Sequence, residues 1–235
     1  MTLERFNELA AQVGADPELA RRGYLLTVIT VHGVRTTGKW QKDFAPIASD
    51  NYIRAAHVDF SYTFPALRPK RRADEASDVF MQHYMEQRRW RLPISAVAHS
   101  FGTMVVCRTL QLNPELKLNR LILSAAILPC SFPWCDVVSF GRITAVLNEH
   151  CPQDRVVPLS KAWLLLGLEK GESGCHGFDE TCDGAVNNVH YAHTGHNRLI
   201  TPLHMEEAWL PFLFDGTIPS GDPKPRIQDA GPGVP

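Results

Sequence analysis

The pentapeptide Ala98-His99-Ser100-Phe101-Gly102 places a serine between small residues at a spacing that suits nucleophilic chemistry. A serine hydroxyl is a weak nucleophile, so an enzyme must present it to a base in an accessible position. A sharp turn from a strand into a helix does this, and it requires small residues two places before and after the serine. The first N–H groups of the following helix can then stabilise an oxyanion. The pattern predicts Ser100 as a nucleophile, and the alternative is a serine that only caps the helix.

Strands and helices alternate along the chain on both sides of this turn. The apolar run 25–31 is continuous, which is typical of a strand buried on both faces of a parallel sheet. Predicted strands span 25–31, 55–62, 93–99, 118–128, 142–148 and 186–193, and predicted helices span 3–22, 70–91, 101–112 and 205–214. This order predicts an α/β fold with a mostly parallel central sheet flanked by helices. We expect a single domain over residues 1–214 and a flexible tail, rich in Pro and Gly, over 215–235.

The turn and the order of elements resemble the α/β-hydrolase superfamily over most of residues 24–213. Ala98 stands where most members have Gly, a variant that some lipases of the superfamily also show. The resemblance implies a Ser-His-Asp triad that acts through an acyl-enzyme. It also implies that the turn after the first strand, His32-Gly33, shapes an oxyanion hole whose N–H donors are Val34 and Phe101. His32 itself is then structural.

The resemblance also implies where the acid and the base lie. The acid follows a late strand, and Asp154 in the turn Asp154-Arg155-Val156-Val157-Pro158 fits that place. The base lies on a loop before a C-terminal helix, and His196 in Thr194-Gly195-His196-Asn197 fits best. The chain order Ser, Asp, His agrees with the superfamily. Other candidates stay open, namely Asp136, Asp179 and Asp183 for the acid and His193 and His204 for the base.

The function expected from these residues is a serine hydrolase that cleaves carboxylic esters, similar to carboxylesterases and lipases. Two alternatives stay open: a binding protein with the same fold and no catalysis, and an acyltransferase or peptidase. Residues 129–141 are few for a cap domain, so we expect little or no cap. The apolar stretch Phe132-Pro133-Trp134 could line an acyl pocket or cover the core, and a lid could also come from residues 160–185.

Composition limits the partners. The 235 residues carry a net charge of −1, so we expect no nucleic-acid partner. The partner that the resemblance implies is a small acyl or ester substrate. Gly-rich nucleotide-binding motifs are missing, and no cofactor or metal is predicted; Cys175, His176 and Cys182 do not have the paired spacing of structural zinc sites. No segment approaches the ~20 apolar residues of a membrane helix, and residues 1–23 do not resemble a signal peptide. We therefore expect a cytoplasmic protein whose six cysteines are mostly reduced thiols, and the sequence leaves its oligomeric state open.

Overall fold

Six parallel strands form the sheet that a computed structural model of the chain shows among its described residues. The described residues are 3–15, 23–33, 38–59, 69–154, 156–157, 171–192, 195–197 and 199–221. The strands are β1 Leu26–Val31, β2 Ile53–Val58, β3 Ile94–His99, β4 Leu118–Ser124, β5 Ile143–His150 and β6 Val186–His190. Their order in the sheet is β2-β1-β3-β4-β5-β6, and every neighbouring pair is parallel. The predicted fold class, a mostly parallel sheet flanked by helices, is confirmed.

Helices cover both faces of this sheet. They are α1 Leu3–Gln12, α2 Lys39–Asp50, α3 Pro69–Arg88, α4 Phe101–Leu112, α5 Trp134–Ser139, α6 Ser173–His176 and α7, which joins Pro202–His204, a π-helical turn Met205–Trp209 and Leu210–Asp215. On one face, α3, α4 and α5 contribute Phe80, Val105 and Trp134 to a buried core. On the other face, α1, α2 and α7 bury Leu9, Phe44 and Trp209. None of the helices described here has the length and apolarity to cross a membrane.

The register of the strands brings their carboxyl ends to one edge of the sheet. Val31 pairs with Ala98 across β1 and β3, His99 pairs with Ser124, and Ser124 pairs with Glu149. Residues that directly follow β1, β3, β4 and β5 therefore meet at this edge, where open parallel sheets place their sites. The turn after β3, which contains Ser100, lies in the middle of that row.

Some predicted elements end earlier than expected. The predicted strand 118–128 ends at Ser124, because Ala125 has a φ of 51° and leaves the extended conformation. Residues 125–128 stay buried, since Ala126 and Leu128 bond through their backbones to the segment that carries α6. The predicted helix 3–22 ends at Gln12, before Gly14 at a φ of 64°. Residues 16–22, 60–62 and 193 of the predicted elements, and 222–235 of the predicted tail, lie outside the described residues.

The connection between β4 and β5 contains no cap domain. Its residues, 125–142, form only one helix, the six-residue α5. Phe132 and Trp134 are buried, with ring centroids 4.5 Å apart, and Trp134 packs edge-on against Phe178 at 5.3 Å. Of the two interpretations of this apolar stretch, the structure therefore supports cover of the core. The possible lid at 160–185 falls partly on residues 158–170, which are outside the described part of the chain.

The cysteines are mostly free thiols, as expected, but two of the six form a disulfide. Cys135 on α5 and Cys182 form a disulfide, although 47 residues separate them in sequence. The pairing is possible because α5 and the turn at Cys182–Gly184 lie side by side, with the two Cα atoms 5.2 Å apart. Cys182 therefore does not pair with Cys175, which is a free buried thiol. Burial, reinforced by the charge of Asp154, raises the pKa of Cys175 to about 11.

A buried polar cluster connects α7 to the sheet. Glu149 Oε1 accepts hydrogen bonds from His204 Nε2 at 2.5 Å and from Trp209 Nε1 at 3.1 Å. All three side chains are buried, Glu149 and Trp209 almost completely. His204 directly precedes the π-helical turn and Trp209 is its last residue, so this carboxylate fixes the place where the helix departs from regular geometry.

We predict that replacing Glu149 with alanine lowers the free energy of unfolding by about 3–5 kcal/mol, because it leaves His204 and Trp209 buried without their acceptor. Urea unfolding followed by circular dichroism measures this loss. The control is Glu206→Ala, an exposed position in the same π-helical turn, with an expected change within about 0.5 kcal/mol. Equal losses in the two variants would contradict the prediction.

Candidate active site

Ser100 occupies a strained turn between β3 and α4. Its φ of 53° and ψ of −121° are unfavourable for a residue with a side chain. The backbone around it is held firmly: Ser100 N donates to Ser124 O at 3.0 Å, and Ser100 O accepts from both the N–H and the hydroxyl of Thr103. Such strain persists only where the surrounding structure imposes it. The bonds to Ser124 and Thr103 therefore hold the turn in the conformation that Ser100 adopts.

Two glycines make room for the turn. A Cβ on Gly102 would lie 2.3 Å from the carbonyl oxygen of Val31, so α4 can start here only with a glycine at this position. A Cβ on Gly33 would lie 2.8 Å from Ser100 Cβ. The backbone at Gly33 can therefore lie against the serine only because this residue has no side chain.

One chain of hydrogen bonds joins three of the predicted site residues. His196 Nε2 lies 3.0 Å from Ser100 Oγ, and His196 Nδ1 lies 2.7 Å from Asp154 Oδ2. A carboxylate oxygen only accepts, so Nδ1 carries a proton, and in the neutral imidazole the lone pair of Nε2 faces the serine hydroxyl. The side chains of His196 and Asp154 are 12% and 2% exposed. This arrangement can remove a proton from Ser100.

The environment of Asp154 keeps it ionised. Burial alone would raise the pKa of its carboxyl, but the hydrogen bond and charge of His196 oppose this effect. Oδ1 also accepts from the backbone N–H groups of Val156 at 2.8 Å and Val157 at 3.2 Å. Together these interactions lower the pKa below its usual value. The turn that follows β5 thus holds a carboxylate with both oxygens engaged.

The other candidate acids and bases are placed elsewhere. His204 is buried and donates to Glu149. Asp136, Asp179 and Asp183 are exposed, whereas the carboxylate bonded to His196 belongs to Asp154. His193 lies outside the described residues.

The oxyanion side is described only in part. Phe101 is the first residue of α4, so its N–H is at the helix N-terminus beside Ser100. His32 Nδ1 donates to Gly33 O at 2.6 Å, and its Nε2 lies 3.5 Å from Asp59 Oδ1, which agrees with a structural role. Val34, the second predicted donor, lies outside the described residues, and its place in the hole stays a prediction.

His99 is a site residue that the sequence reasoning missed. Its side chain is almost completely buried, and its Nε2 lies 3.1 Å from the main-chain oxygen of His196. Burial, and then the neighbouring charge of His196, lowers the pKa of His99 to about 3. The available signal was its position: it ends a strand that is buried along its full length, directly before the predicted nucleophile.

One group of side chains among the described residues has ligand atoms close enough to hold a metal ion. Cys135, Glu180 and Cys182 bring their ligand atoms within 4.8 Å of one another. Both sulfurs are joined in the disulfide, so neither is a thiolate that could bind a cation. The group does not form a metal centre in this state.

Comparison with known proteins shows which solved structures share the fold of this chain. The sequence matches no protein-family model, and no curated protein is significantly similar to it. A putative YdeN-like hydrolase from Pectobacterium atrosepticum has a similar structure, with a TM-score of 0.50 and 16% identity over 88% of this chain and 97% of that one. A serine hydrolase involved in carbazole degradation, CarC, has a TM-score of 0.51 and 15% identity over 81% and 92% of the two chains. At such identities the likeness shows a shared fold.

We predict that His99 makes the protein less stable as the pH falls. Its folded-state pKa of about 3 lies below the unfolded value of about 6.5, so between these values the unfolded state binds more protons. The groups facing it are His196, Asp154 and His32. His99→Gln removes the titration but keeps a donor. Below about pH 6, the unfolding free energy of the wild type should therefore fall faster than that of the variant, by roughly 1 kcal/mol for each pH unit.

Chemical unfolding of both proteins at pH 7, 6, 5 and 4 measures this difference, and the contributions of titrating groups that do not interact with His99 cancel in the comparison. A difference that stays constant over this range would mean that His99 is not a buried neutral imidazole.

Proposed function

We propose that this protein, which has the α/β-hydrolase fold, is a serine hydrolase that cleaves carboxylic esters through an acyl-enzyme. The observation that carries the proposal is the continuous hydrogen-bond chain from Asp154 through His196 to Ser100. A nucleophile within reach of a base, which is in turn oriented by a buried carboxylate, is the arrangement that acyl transfer needs.

In the first step, Ser100 Oγ attacks the carbonyl carbon of the ester while His196 Nε2 takes the hydroxyl proton. The imidazolium that forms is stabilised by Asp154, whose lowered pKa keeps it charged throughout. The carbonyl oxygen becomes an oxyanion, for which we propose the N–H groups of Phe101 and Val34 as donors. The N-terminus of α4 adds a partial positive charge at the same place.

In the second step, His196 returns the proton to the leaving alcohol as the carbon–oxygen bond breaks, and the acyl group stays on Ser100. Water then attacks this ester, with His196 as the base again, and the acid product leaves with Ser100 restored. Loss of a single oxyanion donor costs about 10²–10³ in rate in a comparable enzyme, so the proposed donors are needed in addition to the base.

The proposed substrate is a small-molecule ester. The six-residue α5 covers core and does not cap the site, which favours an open site over a lid-gated one. An acyltransferase or peptidase would use the same three side chains with a different acceptor, and a non-catalytic binding protein would have no need for their alignment. The cytoplasmic location stays a prediction, and the Cys135–Cys182 disulfide is a feature more typical of oxidising compartments.

We predict that a fluorophosphonate probe labels the purified protein on Ser100 and that the protein hydrolyses p-nitrophenyl acetate. Ser100→Ala should abolish both, because the probe and the ester each need the serine oxygen. The control is Ser139→Ala, an exposed serine on α5. A Ser100→Ala variant that turns over the ester as fast as wild type would rule out the proposal. The rates for a panel of esters with increasing acyl length then show how long an acyl chain the pocket accepts.

We also predict that Asp154→Asn reduces kcat by about 10⁴, since an amide facing Nδ1 favours the wrong imidazole tautomer while it preserves the shape of the side chain. Asp136→Asn, the same change on exposed α5, should leave kcat unchanged. Steady-state ester hydrolysis measures both variants. Similar kcat values for the two would remove Asp154 from the mechanism.

A further inference from the structure

The residue before the nucleophile has no place in the mechanism proposed above, yet it is buried next to the base. His99 is the last residue of β3, and the alternation of side chains along the strand places it on the face covered by α1, α2 and α7, together with Val97. Its ring lies against that of His196, with 4.9 Å between centroids and 59° between planes.

The protonation of His99 follows from its partners. Nε2 lies 3.1 Å from the main-chain oxygen of His196, and a carbonyl only accepts, so Nε2 carries a proton. Nδ1 is buried and has no hydrogen-bond partner within the described part of the chain. A second proton there would be a buried donor with nothing to bond to, which is costly. His99 is therefore a neutral imidazole with one donor, and that donor points at the backbone of the base.

Two consecutive residues, His99 and Ser100, thus contact His196 at two different points. Ser100 Oγ lies 3.0 Å from Nε2 of the His196 ring, and His99 Nε2 lies 3.1 Å from the main-chain oxygen of His196. Asp154 meets the other ring nitrogen at 2.7 Å. The contacts to Ser100 and Asp154 fix the ring, whereas the contact to His99 fixes the backbone from which the ring extends. Because His99 and Ser100 are covalent neighbours, this contact ties the position of the base to that of the nucleophile.

We propose that His99 is a positioning residue, whose Nε2–H bond to the His196 carbonyl holds the base in reach of Ser100. This inference rests on the proposed function, because it assigns His99 a part in the proton transfer described above. A misplacement of about 1 Å in a reacting group can cost roughly 100-fold in rate, so a single backbone anchor of this kind has a measurable effect.

The test compares two substitutions of nearly equal shape. His99→Gln keeps an N–H donor at about the place of Nε2, and His99→Met fills similar space without a donor. We expect His99→Met to lower kcat for p-nitrophenyl acetate, and the rate of fluorophosphonate labelling, by about 10- to 100-fold with little change in KM. His99→Gln should restore both rates to within about fivefold of wild type.

A second readout separates positioning from general support of the fold. The proton in the bond between His196 Nδ1 and Asp154 gives a far-downfield NMR signal, which we expect to persist in His99→Gln and to broaden or disappear in His99→Met. Unfolding midpoints of both variants show how far each is destabilised. Should His99→Met fail to fold, nitrogen NMR of the wild type still tests the inference, because it requires the proton of His99 on Nε2 and not on Nδ1.

The outcomes distinguish this inference from the proposed function. A wild-type protein that neither labels nor hydrolyses esters contradicts the proposed function, and the inference falls with it. A wild-type protein that labels on Ser100, together with equal rates in the Met and Gln variants, overturns the inference alone. The same holds if the wild-type spectrum places the His99 proton on Nδ1.

Discussion

The strained backbone of Ser100 is the constraint on which the rest of the structure depends. A positive φ at a residue with a side chain is unfavourable by of order 1–3 kcal/mol, and here β1, β4 and α4 all contribute to imposing it. The turn is bonded to Ser124 on one side and to Thr103 on the other. Gly102 and Gly33 are then necessary, because each lies where a Cβ would meet the backbone or the serine. Parallel strands with aligned ends supply the rigid frame that holds this strain.

Asp154, the proposed acid, is held by a different part of the fold. The turn that carries Asp154 is bonded to the segment around α6 through Cys151 N to Gly174 O at 2.8 Å, and Gly174 N in turn donates to Ala126 O at 2.8 Å. A Cβ on Gly174 would lie 2.6 Å from the backbone of Ala126, so this contact is as close as backbone atoms allow. The carboxylate is thus connected, through one short segment, to the residues that directly follow β4.

Much of this arrangement could be predicted from the sequence, because its causes are local. The continuous apolar strands, the small residues around Ser100 and the turn at Asp154 each carry their signal in a few neighbouring residues. The end of β4 could not be predicted, since Ala125 to Leu128 are as apolar as a strand but bond to residues some 50 positions later. The same holds for the Glu149–His204 pair and for His99, whose roles depend on partners distant in sequence. The place of Val34 and the tail stay predictions.

The Cys135–Cys182 disulfide divides the candidate site in a way that the hydrogen bonds do not reveal. It closes a loop of chain that contains β5 and Asp154 but neither Ser100 nor His196. The proposed acid therefore lies within a covalently closed loop, whereas the proposed nucleophile precedes this loop in the chain and the proposed base follows it. In the chain-entropy model, a closed loop of this length lowers the conformational entropy of the unfolded chain. This stabilises the folded protein by about 4 kcal/mol. That reduction acts on the loop that contains Asp154, so this part of the candidate site has fewer conformations to search when the protein folds.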